Sequence, residues 1–389
     1  MIVKRREQPS RRSNMAEFTL SQVVEATAGT SAHTDNIKFL DVSTDTRTIE
    51  SGFLFVALKG DTFDGHDFIN TAIEKGATGA IVEKGRAVEG IVCIEVENTL
   101  VAYQNLARYH RRRFDIPVVA ITGSSGKTTT KEMVAAVLGT EFNVLKTEKN
   151  FNNEIGLPKT LLRLTAEHEA CVVEMGMRGL GQIEELALIA EPTMGIITNV
   201  GTSHIELLGS REAIAEAKGE LIRCLPENSV AILNEDDPYV KAMDSLAKGK
   251  TITYGIERNA TCIGSHLRYK KDGIKFTIKS SDGTLLDVTA SGDTITLTPK
   301  TGTITTGTDG VPTANTANGK LVTADQLVTA LTQMGWKATA GKDGTGTVEG
   351  NTEELIKAGE TVTFKAGNNL AVKQDGKNFI YSLQKELTG

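Results

Sequence analysis

Val118-Val119-Ala120-Ile121-Thr122-Gly123-Ser124-Ser125-Gly126-Lys127-Thr128-Thr129-Thr130-Lys131 decides the fold. An apolar strand turns through small residues into a helix. Gly123 and Gly126 let backbone N–H groups close on an anion, with Ser124, Ser125 and Thr129 in the same cradle. Lys127 reaches terminal phosphates and the Thr128 hydroxyl suits Mg²⁺. Ile121 stands where the GxxxxGK[ST] pattern wants its first glycine, so this is a shortened phosphate loop. A plain Gly/Ser turn between strand and helix is the alternative reading.

Upstream, residues 15–114 alternate short apolar runs with amphipathic ones, which predicts a small α/β domain. Two of its loops, Ser43-Thr44-Asp45-Thr46-Arg47 and Lys59-Gly60-Asp61-Thr62-Phe63-Asp64-Gly65-His66, carry donors suited to a diphosphate or uracil; surface turns share this composition. Asn98 to Arg113 reads as a helix with a basic end that complements its dipole.

Downstream to about Tyr254, strand and helix patterns alternate, with strands at 118–121, 171–173, 195–197 and 230–233. That predicts a doubly wound, mostly parallel sheet whose ligands gather beyond the strands' carboxyl ends. Glu174 follows one such strand and can hold the cation that Thr128 touches; a solvated strand-end carboxylate is the alternative. His204 follows another and reads equally as a surface-loop histidine. Lys218 has Ile214, Leu221 and Ile222 at helical spacing, so it projects from an apolar face. Desolvation there favours the neutral, nucleophilic amine, against a snorkelling lysine. Asn150, Asn152 and Asn153 offer amides to phosphate or carbonyl oxygens, or form an ordinary turn. Asn234 opens an Asx-rich turn that could face a nucleotide base.

Composition bounds the function. The chain has 389 residues and a net charge of −6, which argues against nucleic acid as the main partner, and no apolar run approaches membrane-spanning length. Cys93, Cys171, Cys224 and Cys262 show no CxxC spacing and read as reduced thiols of a cytoplasmic protein. Residues 1–14 are basic, precede no apolar signal region and read as a disordered extension, with Met15 a candidate start.

Six ordered stretches, Thr122 to Thr129, Asn150 to Gly156, Glu174-Met175-Gly176, Asn199-Val200-Gly201 with His204, Lys218-Gly219-Glu220 and Asn234 to Asp237, closely resemble the Mur ligase family over about 15–280. The resemblance implies an ATP-dependent ligase of cell-wall precursor synthesis: a substrate carboxylate is phosphorylated and an amine attacks the acyl phosphate. It implies ATP and Mg²⁺ as cofactors, and a UDP-muramoyl-tripeptide and D-alanyl-D-alanine as partners. Lys127, Glu174, His204 and Lys218 are then catalytic; Thr128, Glu174, His204 and a CO₂-modified Lys218 organise metal. Ser43, Asp45 and Arg47 bind the UDP-substrate with Asn152 and Asn153, and Asn234 lies near the adenine. The domains expected are 15–114 for the UDP-substrate, 115–282 for ATP, and 283–389.

From about Ser281 the composition changes: Arg, His and Cys are absent and Thr and Gly dominate. The family's Gly-x-His-Asn helix start and closing domain are not recognisable there, so ligation is expected to be impaired. A helix at Thr323–Met334 and strands at Thr361–Phe364, Leu370–Val372 and Phe379–Leu383 are predicted, with Asp375-Gly376 as a hairpin turn. This β-rich tail, about 285–389, resembles the tryptophan-ring and neck modules of trimeric autotransporter adhesins through Met334 to Lys337 and Phe364 to Phe379. A homotrimer is the assembly it implies, and a non-enzymatic adhesin fragment fused to a ligase remnant is the competing function. The two halves imply opposite compartments, as in a chimera; sequencing across codons 275–295 of the source DNA tests that junction.

Overall fold

The computed structural model describes residues 16–34, 36–60, 62–270, 273–280, 285–291, 294–299, 303–306, 308, 311–315, 324–340 and 352–385. The basic extension at 1–14 and the candidate start at Met15 lie outside the described residues. The chain divides into two compact units, residues 1–264 and 265–389.

The first unit opens with β1 (Phe18–Thr19) and α1 (Leu20–Thr27), whose Thr19 and Gln22 form a reciprocal capping box, and β2 (Lys38–Phe39). Next come β3 (Val42–Ser43), β4 (Leu54–Val56), α2 (Ile69–Glu74), β5 (Gly79–Glu83) and β6 (Val92–Val96). The strands β3-β4-β5-β6 form a parallel sheet in sequence order. The predicted helix is α3 (Thr99–Arg111), and Asn98 Oδ1 caps it by accepting from the N–H groups of Leu100 and Val101 at 2.9 and 3.0 Å.

The larger sheet is built from β7 (Val118–Thr122), α4 (Lys127–Leu138), β8 (Val144–Lys146), α5 (Gly156–Leu161), β9 (Ala170–Glu174), α6 (Gln182–Ala190) and β10 (Met194–Ile197). It continues with α7 (Ile205–Leu208), α8 (Arg211–Cys224), β11 (Val230–Asn234), α9 (Pro238–Ala242) and β12 (Lys250–Gly255). The strand order β12-β11-β10-β7-β9-β8 is parallel throughout. The sequence reading names neither β8 nor β12. The former is three residues long, and the latter is half-exposed and Thr-rich, so neither reads as a buried apolar run.

This order places the topological switch at β7, with β9 on one side and β10 on the other. Ile121 pairs with Glu174 and Thr122 with Ile197, so three strands end level at one edge. A crevice at that edge is where an α/β sheet binds ligands. Beneath it, Val118, Ala120, Cys171, Val173, Leu221 and Leu233 are buried in one apolar cluster that continues through α3 into the smaller sheet. Burial on both faces explains the unbroken apolar strands.

The second unit is β-rich. Strand β13 (Cys262–Lys270) crosses the division between the units, and β14 (Gly273–Ser280), β15 (Leu285–Ser291) and β16 (Thr294–Pro299) form an antiparallel ladder. Three hairpins follow: β17 (Thr303–Thr306) with β18 (Pro312–Asn315), β19 (Gly335–Ala338) with β20 (Glu354–Lys357), and β21 (Leu370–Asp375) with β22 (Asn378–Leu383). Helix α10 (Ala324–Gln333) matches the predicted one, while its expected cap, Thr323, lies outside the described residues. The strand expected at Thr361–Phe364 does not form. That segment is irregular and is held by the Phe364 ring against Phe379, centroids 4.4 Å apart, rather than by a ladder.

Candidate active site

The phosphate loop is shaped by two glycines and a clasp. Gly123 has φ +153°, and a Cβ there would lie 1.8 Å from Thr198 Oγ1, so no larger residue fits. Gly126, at φ +77°, turns the chain into α4. Asn199, after β10, grips the loop: its carbonyl oxygen accepts from Ser124 N–H at 3.0 Å and its Oδ1 from Ser125 N–H at 3.1 Å. Its amide donates to Ser125 Oγ at 2.9 Å, and Gly201 N–H donates to Ser124 Oγ at 2.8 Å. Lys127 Nζ folds back to the Gly123 carbonyl at 2.8 Å. Thr129 is exposed on the first turn of α4.

At the end of β9, Glu174 is buried with 3% exposure. Its Oε2 accepts from the Thr128 hydroxyl and its Oε1 from Asn152 Nδ2, each at 2.9 Å, while Thr147 Oγ1 accepts from its backbone N–H at 3.1 Å. A hydroxyl and a carboxylate side by side are the hard oxygen donors that Mg²⁺ takes. Among the described residues no group of three His, Cys, Asp or Glu could hold a metal by itself.

A cleft of about 470 Å³ opens over this edge, and Gly123, Lys127, Asn152, Asn153, His204 and Lys218 all line it. Lys218 projects inward from α8 with 2% exposure. Burial, and then the neighbouring charge of Lys127, pull its pKa from 10.5 down to about 7. A lysine so poised is substantially neutral at pH 7, as its apolar helix face predicts. His204 sits at φ +68°, in the left-handed region, at the start of α7. Glu220, two residues after Lys218, points the other way: its carboxylate accepts from the N–H groups of Gly181 at 2.7 Å and Glu184 at 3.0 Å, capping α6.

Other expected residues lie outside the cleft. Asn234 donates to the Thr198 carbonyl at 2.9 Å and accepts from Asp236 N–H at 3.0 Å, so it braces the loop after β10. Ser43, Asp45 and Arg47 follow β3 in the smaller sheet. Arg47 folds onto Asp45 through Nε at 2.9 Å and Nη2 at 2.7 Å, and that contact holds the Asp45 carboxyl at about 2. The His66 ring is buried and already partnered. Its Nε2 accepts from Glu83 N–H at 2.9 Å, which leaves Nδ1–H to donate to Asp64 at 2.5 Å. The His66 ring is therefore spent on the fold. The sequence reading gives no role to Thr147, Asn199, Glu220 or Lys131, although Asn199 and Glu220 stand in two of the six quoted stretches and Lys131 stands four residues after Lys127 and so on the same helix face.

The switch-point crevice and glycine cradle define a P-loop domain of the doubly wound α/β class. The family models agree. Residues 121–293 match the Mur ligase middle domain and residues 38–122 the Mur ligase family catalytic domain. Residues 38–293 therefore belong to the Mur ligase family. The UDP-N-acetylmuramoyl-tripeptide–D-alanyl-D-alanine ligase of Synechocystis is 53% identical over 228 residues, 57% of this chain and 50% of that protein. The Bacillus subtilis ligase of the same name is 40% identical over 69% of this chain and 59% of its own length. The solved structure of MurF from Acinetobacter baumannii superposes with a TM-score of 0.68 at 31% identity, over 72% of this chain and 62% of that one. MurF ligase from Thermotoga maritima in complex with ADP gives 0.60 at 34% identity, over 64% and 58%. The chain thus spans about half to three-fifths of the length of the curated relatives it matches.

Proposed function

We propose that this chain acts in the ATP-dependent joining of D-alanyl-D-alanine to UDP-N-acetylmuramoyl-tripeptide, a step of peptidoglycan precursor synthesis in the cytoplasm. The observation that carries this reading is the convergence of Lys127, Asn152, His204 and Lys218 on one cleft, beside the Thr128–Glu174 pair. The relatives named above support the choice of substrates, and the ADP-bound neighbour supports the nucleotide.

The nucleotide supplies the phosphoryl group that turns the substrate carboxylate into an acyl phosphate, and the amine's attack then expels phosphate. Each residue's part follows from its place. Lys127 exchanges its bond to the Gly123 carbonyl for a phosphate oxygen and offsets charge there. Thr128 and Glu174 would hold Mg²⁺, with phosphate and water oxygens completing its shell. Asn152 fixes the Glu174 carboxylate while Asn153 and His204 face the substrate side. Lys218 with its lowered pKa can take up CO₂ as a carbamate, which needs a neutral amine. Ser43, Asp45 and Arg47 are read as the UDP site, where Arg47 would release Asp45 for the diphosphate.

Titration calorimetry with Mg·ADP tests the phosphate-loop assignment. We expect binding that weakens about 100-fold in Lys127→Ala, a loss of roughly 2.7 kcal/mol. Equal affinity in the two proteins would remove the assignment. For the second unit we read assembly with copies of itself, supported by the exposed Trp336, Ile380, Tyr381 and Leu383. Light scattering at micromolar concentration should read the mass of three chains, and a strict monomer ends that reading.

A further inference from the structure

Lys131 is as sealed from water as Lys218, with 1% exposure, yet the chemistry above gives it no part. Its ammonium lies 3.9 Å from Glu174 Oε2 and 3.2 Å from Glu132 Oε1. Glu132 is shared, because its other oxygen pairs with Lys146. Four charges therefore alternate in a row, Lys146, Glu132, Lys131 and Glu174, and the last bonds Asn152, which lines the cleft.

We propose that Lys131 is a positioning residue that holds the Glu174 carboxylate against Thr128 and, as a fixed positive charge, keeps this pair from capturing a divalent cation until nucleotide phosphates arrive with it. The inference rests on the metal-binding reading of Thr128 and Glu174. Its physical basis is simple. A carboxylate and a hydroxyl are too few ligands for a small dication, which prefers to keep its water. A buried ammonium 3.9 Å from the ligand oxygen adds repulsion that solvent screens poorly. Polyphosphate brings both missing oxygens and negative charge, and reverses the balance. Lys131 thereby makes cation and nucleotide binding cooperative, and discriminates against the bare ion without touching either ligand.

Mn²⁺ serves as the probe, followed by the loss of its free-ion paramagnetic resonance signal in the full chain, with and without ADP. Wild type should bind Mn²⁺ weakly alone and well with ADP. Lys131→Met should bind Mn²⁺ without nucleotide at least tenfold more tightly, and Lys131→Arg, which keeps the charge, should match wild type. A purely structural role would leave the nucleotide-free affinity unchanged, and that result overturns the proposal. If Lys131→Met does not fold alone, millimolar Mn²⁺ without nucleotide should restore its circular dichroism, since the cation then fills the place of the lost charge; failure to restore it also overturns the proposal. If wild type binds no Mn²⁺ even with ADP, the metal-binding reading itself has failed, an outcome distinct from both.

Discussion

Lys131 lies behind Glu174 and Lys218 lines the cleft; the two are equally buried, but their surroundings are opposite. Lys131 faces two carboxylates, while around Lys218 burial and the charge of Lys127 act in the same direction, with no offsetting acid among the described residues. The two acids beside Lys131 therefore attract its charge, while the setting of Lys218 works against one. The same residue type serves as an ion-pair partner behind Glu174 and as a titratable amine in the cleft wall. Burial alone does not say what a lysine does; the charges packed around it decide.

Opposite signs in stability follow. Lys131→Met should destabilise the fold by about 3–5 kcal/mol at pH 7, because it leaves the Glu174 carboxylate buried without its countercharge. Lys218→Met should stabilise it by a few kcal/mol at the same pH. The folded pKa of Lys218 is depressed from 10.5 to about 7, so between these values the unfolded chain binds the extra proton. Wild-type stability then rises with pH from about 7 to 10.5 and carries the full penalty below that window. In Lys218→Met the rise should be missing. Urea midpoints at pH 7 and 9 read both effects, and equal signs for the two substitutions would break the comparison.

A smaller effect sharpens it. Glu220→Ala removes the carboxylate that caps α6 behind the Lys218 wall, with an expected cost of about 1–2 kcal/mol and little change in the pH window. A cost accompanied by a large shift of that window would mean that Glu220 acts on the lysine rather than on the helix.

Much of the crevice was legible in the sequence. The GSSGKTT loop after an apolar strand fixed the fold class, and the i−4, i+3 and i+4 neighbours of Lys218 gave its burial correctly. These signals are local, set by backbone freedom at glycine and by helical periodicity. Lys131 escaped because TTTKE reads as an ordinary polar helix start, and the acid that gives the lysine its meaning, Glu174, arrives from another strand. Asn199 stands in one of the six quoted stretches, but its clasp escaped for the same reason, since its grip on Ser124 and Ser125 exists only once β10 lies beside β7.

The second unit shows the converse. Its hairpin at Leu370–Leu383 was readable from a turn glycine and two apolar runs, yet Thr361–Phe364, with the same β-rich composition, pairs with no strand among the described residues. Composition favoured the extended backbone but did not choose a neighbour. By itself, the sequence determined the elements, the phosphate cradle and the apolar face that buries Lys218, because each depends on residues within a turn or two. Tertiary structure alone decided which charges meet across strands, and so which buried lysine is paired with acids and which can lose its proton, because electrostatic energy depends on distance in space and on exclusion of water.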